Sequence, residues 1–109
     1  MNKKMIVISL GGSLIVPDEI DWKFLKQFKK IIETEIKKGC RFIIVTGGGK
    51  TARKYIEAGA KMGNIDSDDK DWIGIHSTRL NAHFMRTIFK KYAHPTINTN
   101  PYDLESFLK

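Results

Sequence analysis

The alternation of apolar and polar positions divides the chain into short strands and longer amphipathic stretches. Met5-Ile6-Val7-Ile8-Ser9-Leu10 is short, β-branched and almost continuously apolar, the pattern of a strand buried on both faces in a parallel sheet. It stops at Gly11-Gly12-Ser13, and Leu14 to Glu19, with Pro17, reads as a connecting loop. Asp21 stands where an N-cap belongs, and Trp22 to Lys38 places Leu25, Phe28, Ile32 and Ile36 on one helical face before Gly39 ends it at the C′ position. Arg41 to Thr46 repeats the strand pattern and stops at Gly47-Gly48-Gly49.

From Lys50 to about Met62 a second helix carries a modest apolar stripe at Ala52, Tyr55, Ile56 and Ala60, and the polar, acidic run Gly63 to Lys70 reads as a loop. Trp72 to Tyr92 predicts a longer helix with Ile73, Leu80, Phe84, Ile88 and Tyr92 at helical spacing. His94 to Asn98 suits a short third strand, and Asn100-Pro101 a cap and first-turn pair for a last helix ending at Lys109. Phe24, Phe28, Phe84 and Phe89 are core formers, and there is no internal repeat.

Strand, helix and strand of these lengths predict a right-handed crossover between parallel strands. The glycine turns after Leu10 and Thr46 then open on the same edge of the sheet, where open α/β sheets bind ligands. Three strands leave exposed edges, which predicts that the chain is marginally stable alone, self-associates, or both.

Composition narrows the setting without naming a ligand. At 109 residues the chain has room for one domain, and its 41% hydrophobic and 28% charged residues are ordinary for a soluble α/β protein. No apolar run approaches the roughly 18 residues of a membrane span. Met1-Asn2-Lys3-Lys4 leads into too short an apolar segment for a secretory signal, so a cytoplasmic protein is expected. The single Cys40 excludes an internal disulfide and a cysteine-cluster zinc site, and it reads as a buried, inert thiol. His76 and His83 share a helix face but bring no third ligand, so no protein-held metal is expected.

The net charge of +7 suits a phosphate-bearing ligand, yet most of the excess lies on one lysine-rich helix face (Lys23, Lys26, Lys29, Lys30, Lys37, Lys38) that reads as solvated. Neither interleaved basic and aromatic residues nor a nucleic-acid-binding module is present, so nucleic acid is not an expected partner.

The candidate chemistry lies in the passage from Ile43 to Arg53. An apolar strand gives way to three glycines, and a basic helix begins at once. Glycines allow positive φ and let a ligand reach the backbone, while a helix N-terminus offers unpaired N–H groups and a positive dipole end. The guest that fits is an anion, most often a phosphate. A Walker A loop requires glycine five residues before Gly49, where this chain has Ile44, so the P-loop reading fails. Gly47-Gly48-Gly49-Lys50-Thr51-Ala52 matches the loose dinucleotide spacing, but Asp66, Asp68, Asp69 and Asp71 follow no strand, which leaves that reading weak.

Three separated motifs resemble one family. Ile6 to Ser13 and Val45 to Lys50 look like the two nucleotide-binding turns of the amino acid kinase superfamily. Gly49-Lys50-Thr51-Ala52-Arg53-Lys54-Tyr55 and the segment Asp71 to Ala82 (Asp-Trp-Ile-Gly-Ile-His-Ser-Thr-Arg-Leu-Asn-Ala) are similar to the archaeal-type uridylate kinases. The resemblance runs from about Met5 to Ala93 and implies a three-layer α/β/α sandwich with a mainly parallel sheet. It also implies transfer of the γ-phosphoryl of ATP to UMP, with Mg²⁺ carried on ATP.

By position, Gly12, Ser13, Gly49 and Arg53 match ATP contacts, and Gly48 and Asp71 match UMP contacts. Gly11 and Gly47 complete the phosphate turns. Many superfamily members carry a lysine where this chain has Ser9; archaeal-type uridylate kinases tend to lack it, leaving Lys50 as the candidate for that charge. Nothing after Ile97 resembles the family's second half, with its adenine pocket and acidic catalytic residue.

Residues 1–109 are therefore expected to form the N-terminal portion of such a domain, and three readings stay open. One is a UMP kinase-like enzyme. Another is a non-catalytic nucleotide-binding fragment, and the last is a superfamily member with a different phosphoryl acceptor. Arg53 also suits a surface arginine, Asp71 an N-cap before Trp72, and Thr78-Arg79-Leu80-Asn81 a solvated face or a subunit contact.

Overall fold

The computed structural model describes residues 4–94 together with Ile97 and Thr99. The elements are β1 (Met5–Leu10), α1 (Gly12–Ile15), α2 (Trp22–Lys37), β2 (Arg41–Thr46), α3 (Gly49–Met62) and α4 (Ser67–Ile88). β1 and β2 pair in parallel, with Met5 opposite Arg41 and Leu10 opposite Thr46. Both strands thus stop at the same level, and the two glycine segments leave the sheet side by side. Most of the third strand expected at 94–98, and the last helix, lie outside the described residues.

Helix α2 follows its sequence signals closely. The Asp21 carboxylate accepts from the Phe24 N–H at 3.1 Å. At the other end Gly39 has φ +103°, its N–H donates to the Ile36 carbonyl at 2.9 Å, and the Cys40 N–H donates to the Glu35 carbonyl at 3.0 Å. That pair of bonds is a Schellman motif, and its left-handed residue favours glycine. Cys40 is half-buried rather than buried, and its thiol donates to Glu35 Oε2 at 3.9 Å.

Three boundaries differ from expectation. Gly12–Ile15 form one turn of helix where a glycine turn and loop were expected, because the Gly11 carbonyl accepts from the Leu14 N–H at 2.9 Å and the Val16 N–H returns to the Gly12 carbonyl at 2.8 Å. Helix α4 starts at Ser67, inside the acidic segment read as a loop. The Asp66 carboxylate caps it by accepting from the Asp69 N–H at 2.9 Å, and Asp68 and Asp69 sit in its first turn, where the dipole favours negative charge. It ends at Ile88, short of Tyr92.

The core joins Leu10, Ile15, Val16, Leu25, Ile32, Met85 and Phe89, with Ile8, Phe24, Phe28, Phe42, Ile44, Phe84 and Ile88 packed against it. Phe28 meets Phe89 edge to face at 6.3 Å between centroids. One face of the sheet, that of Ile8, Leu10, Phe42 and Ile44, supplies these contacts. The other is open: Val7 is 63% and Val45 50% exposed, so the expected burial of β1 on both faces is not met within the described residues. The apolar stripes expected on α3 and α4 are covered only in part, since Tyr55 and Leu80 are exposed. The residues α4 buries are Ser77, Asn81 and Met85, spaced four apart along one face.

Candidate active site

The two glycine segments meet at the carboxyl ends of the strands. Gly11 caps α1 and is exposed, whereas Gly12, its first residue, is buried. A Cβ on Gly12 would overlap Gly49, standing 2.6 Å from its Cα and 2.7 Å from the Gly47 carbonyl carbon. A Cβ on Gly47 would stand 3.0 Å from the Gly12 nitrogen. Gly49 opens α3 with φ +62°, and its own Cβ would stand 2.7 Å from the Gly12 carbonyl carbon. Glycine is therefore required twice at Gly49, by backbone conformation and by the approach of the first turn.

Hydrogen bonds staple the start of α3 to the segment after β1. The Lys50 N–H donates to the Val16 carbonyl at 3.0 Å, and Arg53 Nη2 donates to Ser13 Oγ at 2.9 Å. Lys54 Nζ donates to the Asp18 carbonyl at 2.8 Å and pairs with Glu19 at 3.3 Å. The Lys54 ion pairs are exposed and so contribute little to stability, although they link two segments 35 residues apart. Arg53 and Ser13, matched independently to the ATP side of the resemblance, are thus in direct contact.

On its other side the second turn rests on α4. Thr46 Oγ1 donates to the Thr78 carbonyl at 3.2 Å. Asn81 Nδ2 donates to the Gly47 carbonyl at 2.7 Å and to the Gly48 carbonyl at 3.3 Å. A Cβ on Gly48 would lie 3.1 Å from Ala52 Cβ and 3.4 Å from Ser77 Cβ. Ser77 itself donates to the Ile73 carbonyl at 2.8 Å. These contacts correct the reading of Thr78 to Asn81 as a solvated face in part: Arg79 and Leu80 are exposed, whereas Thr78 is half-buried and Asn81, 4% exposed, is bonded to the glycine turn. The signal was present as two polar residues, Ser77 and Asn81, four apart on the stripe that continues to Met85 and Phe89.

A cleft of about 1390 Å³ opens beside this turn and follows β2. Gly48, Gly49, Ala52, Asp71, Gly74 and Thr78 line its end at the turn. Asp71 is exposed and lies in the second turn of α4 rather than at its N-cap, a role Asp66 fills. Gly12, Ser13 and Arg53 do not line the cleft, so the candidate residues divide into two sets that share only the contact between the turns. The Lys50 backbone ties the turns together, and its half-buried side chain makes no hydrogen bond or ion pair among the described residues. No three His, Cys, Asp or Glu side chains among the described residues are grouped as metal ligands. No helix among them is long and apolar enough to cross a membrane.

A parallel strand pair whose ends carry two interlocked glycine turns, with a cleft running from one of them, defines an α/β unit with its candidate site at the carboxyl ends of the strands. The chain belongs to the amino acid kinase family, whose sequence model matches residues 4–106. It is 45% identical over 105 residues to a uridylate kinase of Thermoplasma acidophilum, an alignment covering 96% of this chain and 42% of the relative. It is 48% identical over 90 residues to the uridylate kinase of Thermoplasma volcanium, covering 83% of this chain and 38% of the relative. The crystal structure of uridylate kinase from Archaeoglobus fulgidus superimposes with a TM-score of 0.75 at 30% identity, over 95% of this chain and 45% of that one. The fold is thus that of the family, and the chain spans less than half the length of these relatives.

Proposed function

We propose that this chain is the N-terminal, nucleotide-gathering portion of a UMP kinase-like phosphotransferase, acting in pyrimidine nucleotide synthesis in the cytoplasm. The reaction is ATP + UMP giving ADP + UDP. A phosphate oxygen of UMP bonds to the γ-phosphorus of ATP, the bond from that phosphorus to the β–γ bridging oxygen breaks, and its electron pair leaves with ADP. Such transfers depend chiefly on positioning and on stabilising charge over the phosphoryl oxygens.

The observation that carries this reading is the contact between the two turns, Gly12 on Gly49, with the Asp71 cleft opening from Gly48. In it, the turn Gly11-Gly12-Ser13 with Gly49 and Arg53 holds ATP, the Arg53 guanidinium forking onto phosphate oxygens. Gly47 and Gly48 take the UMP phosphate, and the Asp71 carboxylate accepts from the ribose hydroxyls. Lys50 supplies positive charge near the transferring group. Mg²⁺ accompanies ATP and neutralises phosphate charge there. The described residues furnish no ligand cluster of their own for it, so no step is assigned to a protein-held metal.

The exposed Val7 and Val45 favour covering of the sheet by a second copy or by further chain, and we take a homo-oligomer as the working state. A coupled assay with UMP and ATP·Mg tests the activity. Turnover of UMP supports the kinase. UMP binding without turnover supports the second reading, a non-catalytic nucleotide-binding unit. Turnover of another phosphoryl acceptor in place of UMP reassigns the substrate, and binding of neither nucleotide refutes both readings.

A further inference from the structure

The buried Asn81 has an arrangement that packing alone does not require. Its side-chain nitrogen faces two carbonyl oxygens, those of Gly47 and Gly48, at 2.7 and 3.3 Å. Only a donor suits that position; an oxygen there would face two others. In a planar trans peptide the C=O and the following N–H point in opposite directions. Holding the Gly47 and Gly48 carbonyls on Asn81 therefore turns the N–H groups of Gly48 and Gly49 away from that side chain. Neither N–H has a backbone acceptor among the described residues. Glycine is the residue least able to fix its own peptide planes, so a run of three needs an external anchor. Asn81 is placed to be that anchor, with Ser77 filling the space beneath Gly48.

We infer that Asn81 is a positioning residue: by binding the Gly47 and Gly48 carbonyls it presents the Gly48 and Gly49 N–H groups to phosphoryl oxygens. This rests on the proposed nucleotide reading for its purpose, but not for its geometry.

The test uses the chain labelled with ¹⁵N at its nine glycines and its asparagine side chains. Asn81→Asp keeps the size and turns the donor into an acceptor, and Asn81→Leu removes the donor. In both, the Gly48 and Gly49 amide resonances of the free chain move while those of Gly39 and Gly63 stay. UMP affinity falls about tenfold, the size of one hydrogen bond to a charged group, while uridine, lacking the phosphate, binds as before. A loss shared equally by UMP and uridine, or unmoved Gly48 and Gly49 resonances, overturns the inference. If the native chain binds neither nucleotide, the kinase reading fails and the free-chain glycine resonances still decide the role of Asn81. If both variants fail to fold, exchange of the Asn81 side-chain amide in the native chain decides. Strong protection supports the anchor, and exchange as fast as that of the exposed Asn64 overturns it.

Discussion

The carboxyl end of the sheet and its uncovered face are built to different tolerances. At the carboxyl ends of β1 and β2, backbone meets backbone so closely that Gly12, Gly47 and Gly49 leave no room for one another's missing side chains. Along the strands themselves, Val7 and Val45 stand half or more exposed on the uncovered face. In an isolated domain the centre of the sheet is normally packed most tightly and its loops least. Here the order is reversed: the tight packing lies where the turns touch, and the strand face stays open among the described residues.

The largest expected effect separates two neighbouring glycines. Gly12→Ala places a Cβ against Gly49 backbone that cannot yield without opening the junction, and should lower unfolding stability in urea by about 3 kcal/mol, the upper end of overpacking costs. Gly11→Ala meets no atom within 4 Å at a φ of −54° that alanine adopts freely, so its cost should stay below about 1 kcal/mol. Equal effects at the two positions would mean that the turns are not in contact.

Next in size is the separation of binding from stability at the mouth of the cleft. Asp71→Ala removes an exposed side chain, so the unfolding midpoint should hardly move, while UMP affinity measured by calorimetry should drop about tenfold or more, as for loss of hydrogen bonds to a charged group. Away from the site, Gly39→Ala forces alanine into φ +103° and should cost about 1 kcal/mol without altering nucleotide affinity. The smallest effect belongs to the open face: Val45→Thr should change stability by less than about 0.5 kcal/mol in a monomer. Val45→Lys should weaken self-association in sedimentation if that face is an interface; unchanged association would put the contact elsewhere.

Those parts of the fold governed by local rules were legible in the sequence. Both strands run as their apolar patterns predict, Asp21 caps α2, and Gly39 closes it, because each depends on residues within one turn. The acidic run before Asp71 misled because the same residues serve a solvated loop or a capped first turn, and only the bond from Asp69 to Asp66 distinguishes them. The site was half legible. Three glycines declare that side chains are excluded but not by what. For Gly47 and Gly49 the excluding atoms belong to Gly12, for Gly48 to Ala52 and Ser77, and the anchoring amide to Asn81; Gly12 and Asn81 lie 35 residues before and 34 after Gly47. Hydrophobic periodicity could not find Asn81, because a polar residue on a buried stripe reads as an interruption until its partners are seen.

In the proposed site two residue sets serve different nucleotides, Gly11 to Ser13 with Gly49 and Arg53 taking ATP and Gly47, Gly48 and Asp71 taking UMP, and paired titrations test this most directly. UMP and ATP·Mg are titrated separately into the native chain, Asp71→Ala and Arg53→Ala. The account predicts crossed selectivity: Asp71→Ala loses UMP affinity and keeps ATP, whereas Arg53→Ala loses ATP affinity and keeps UMP. Parallel losses for both nucleotides in both variants, or no binding of either nucleotide by the native chain, would contradict it.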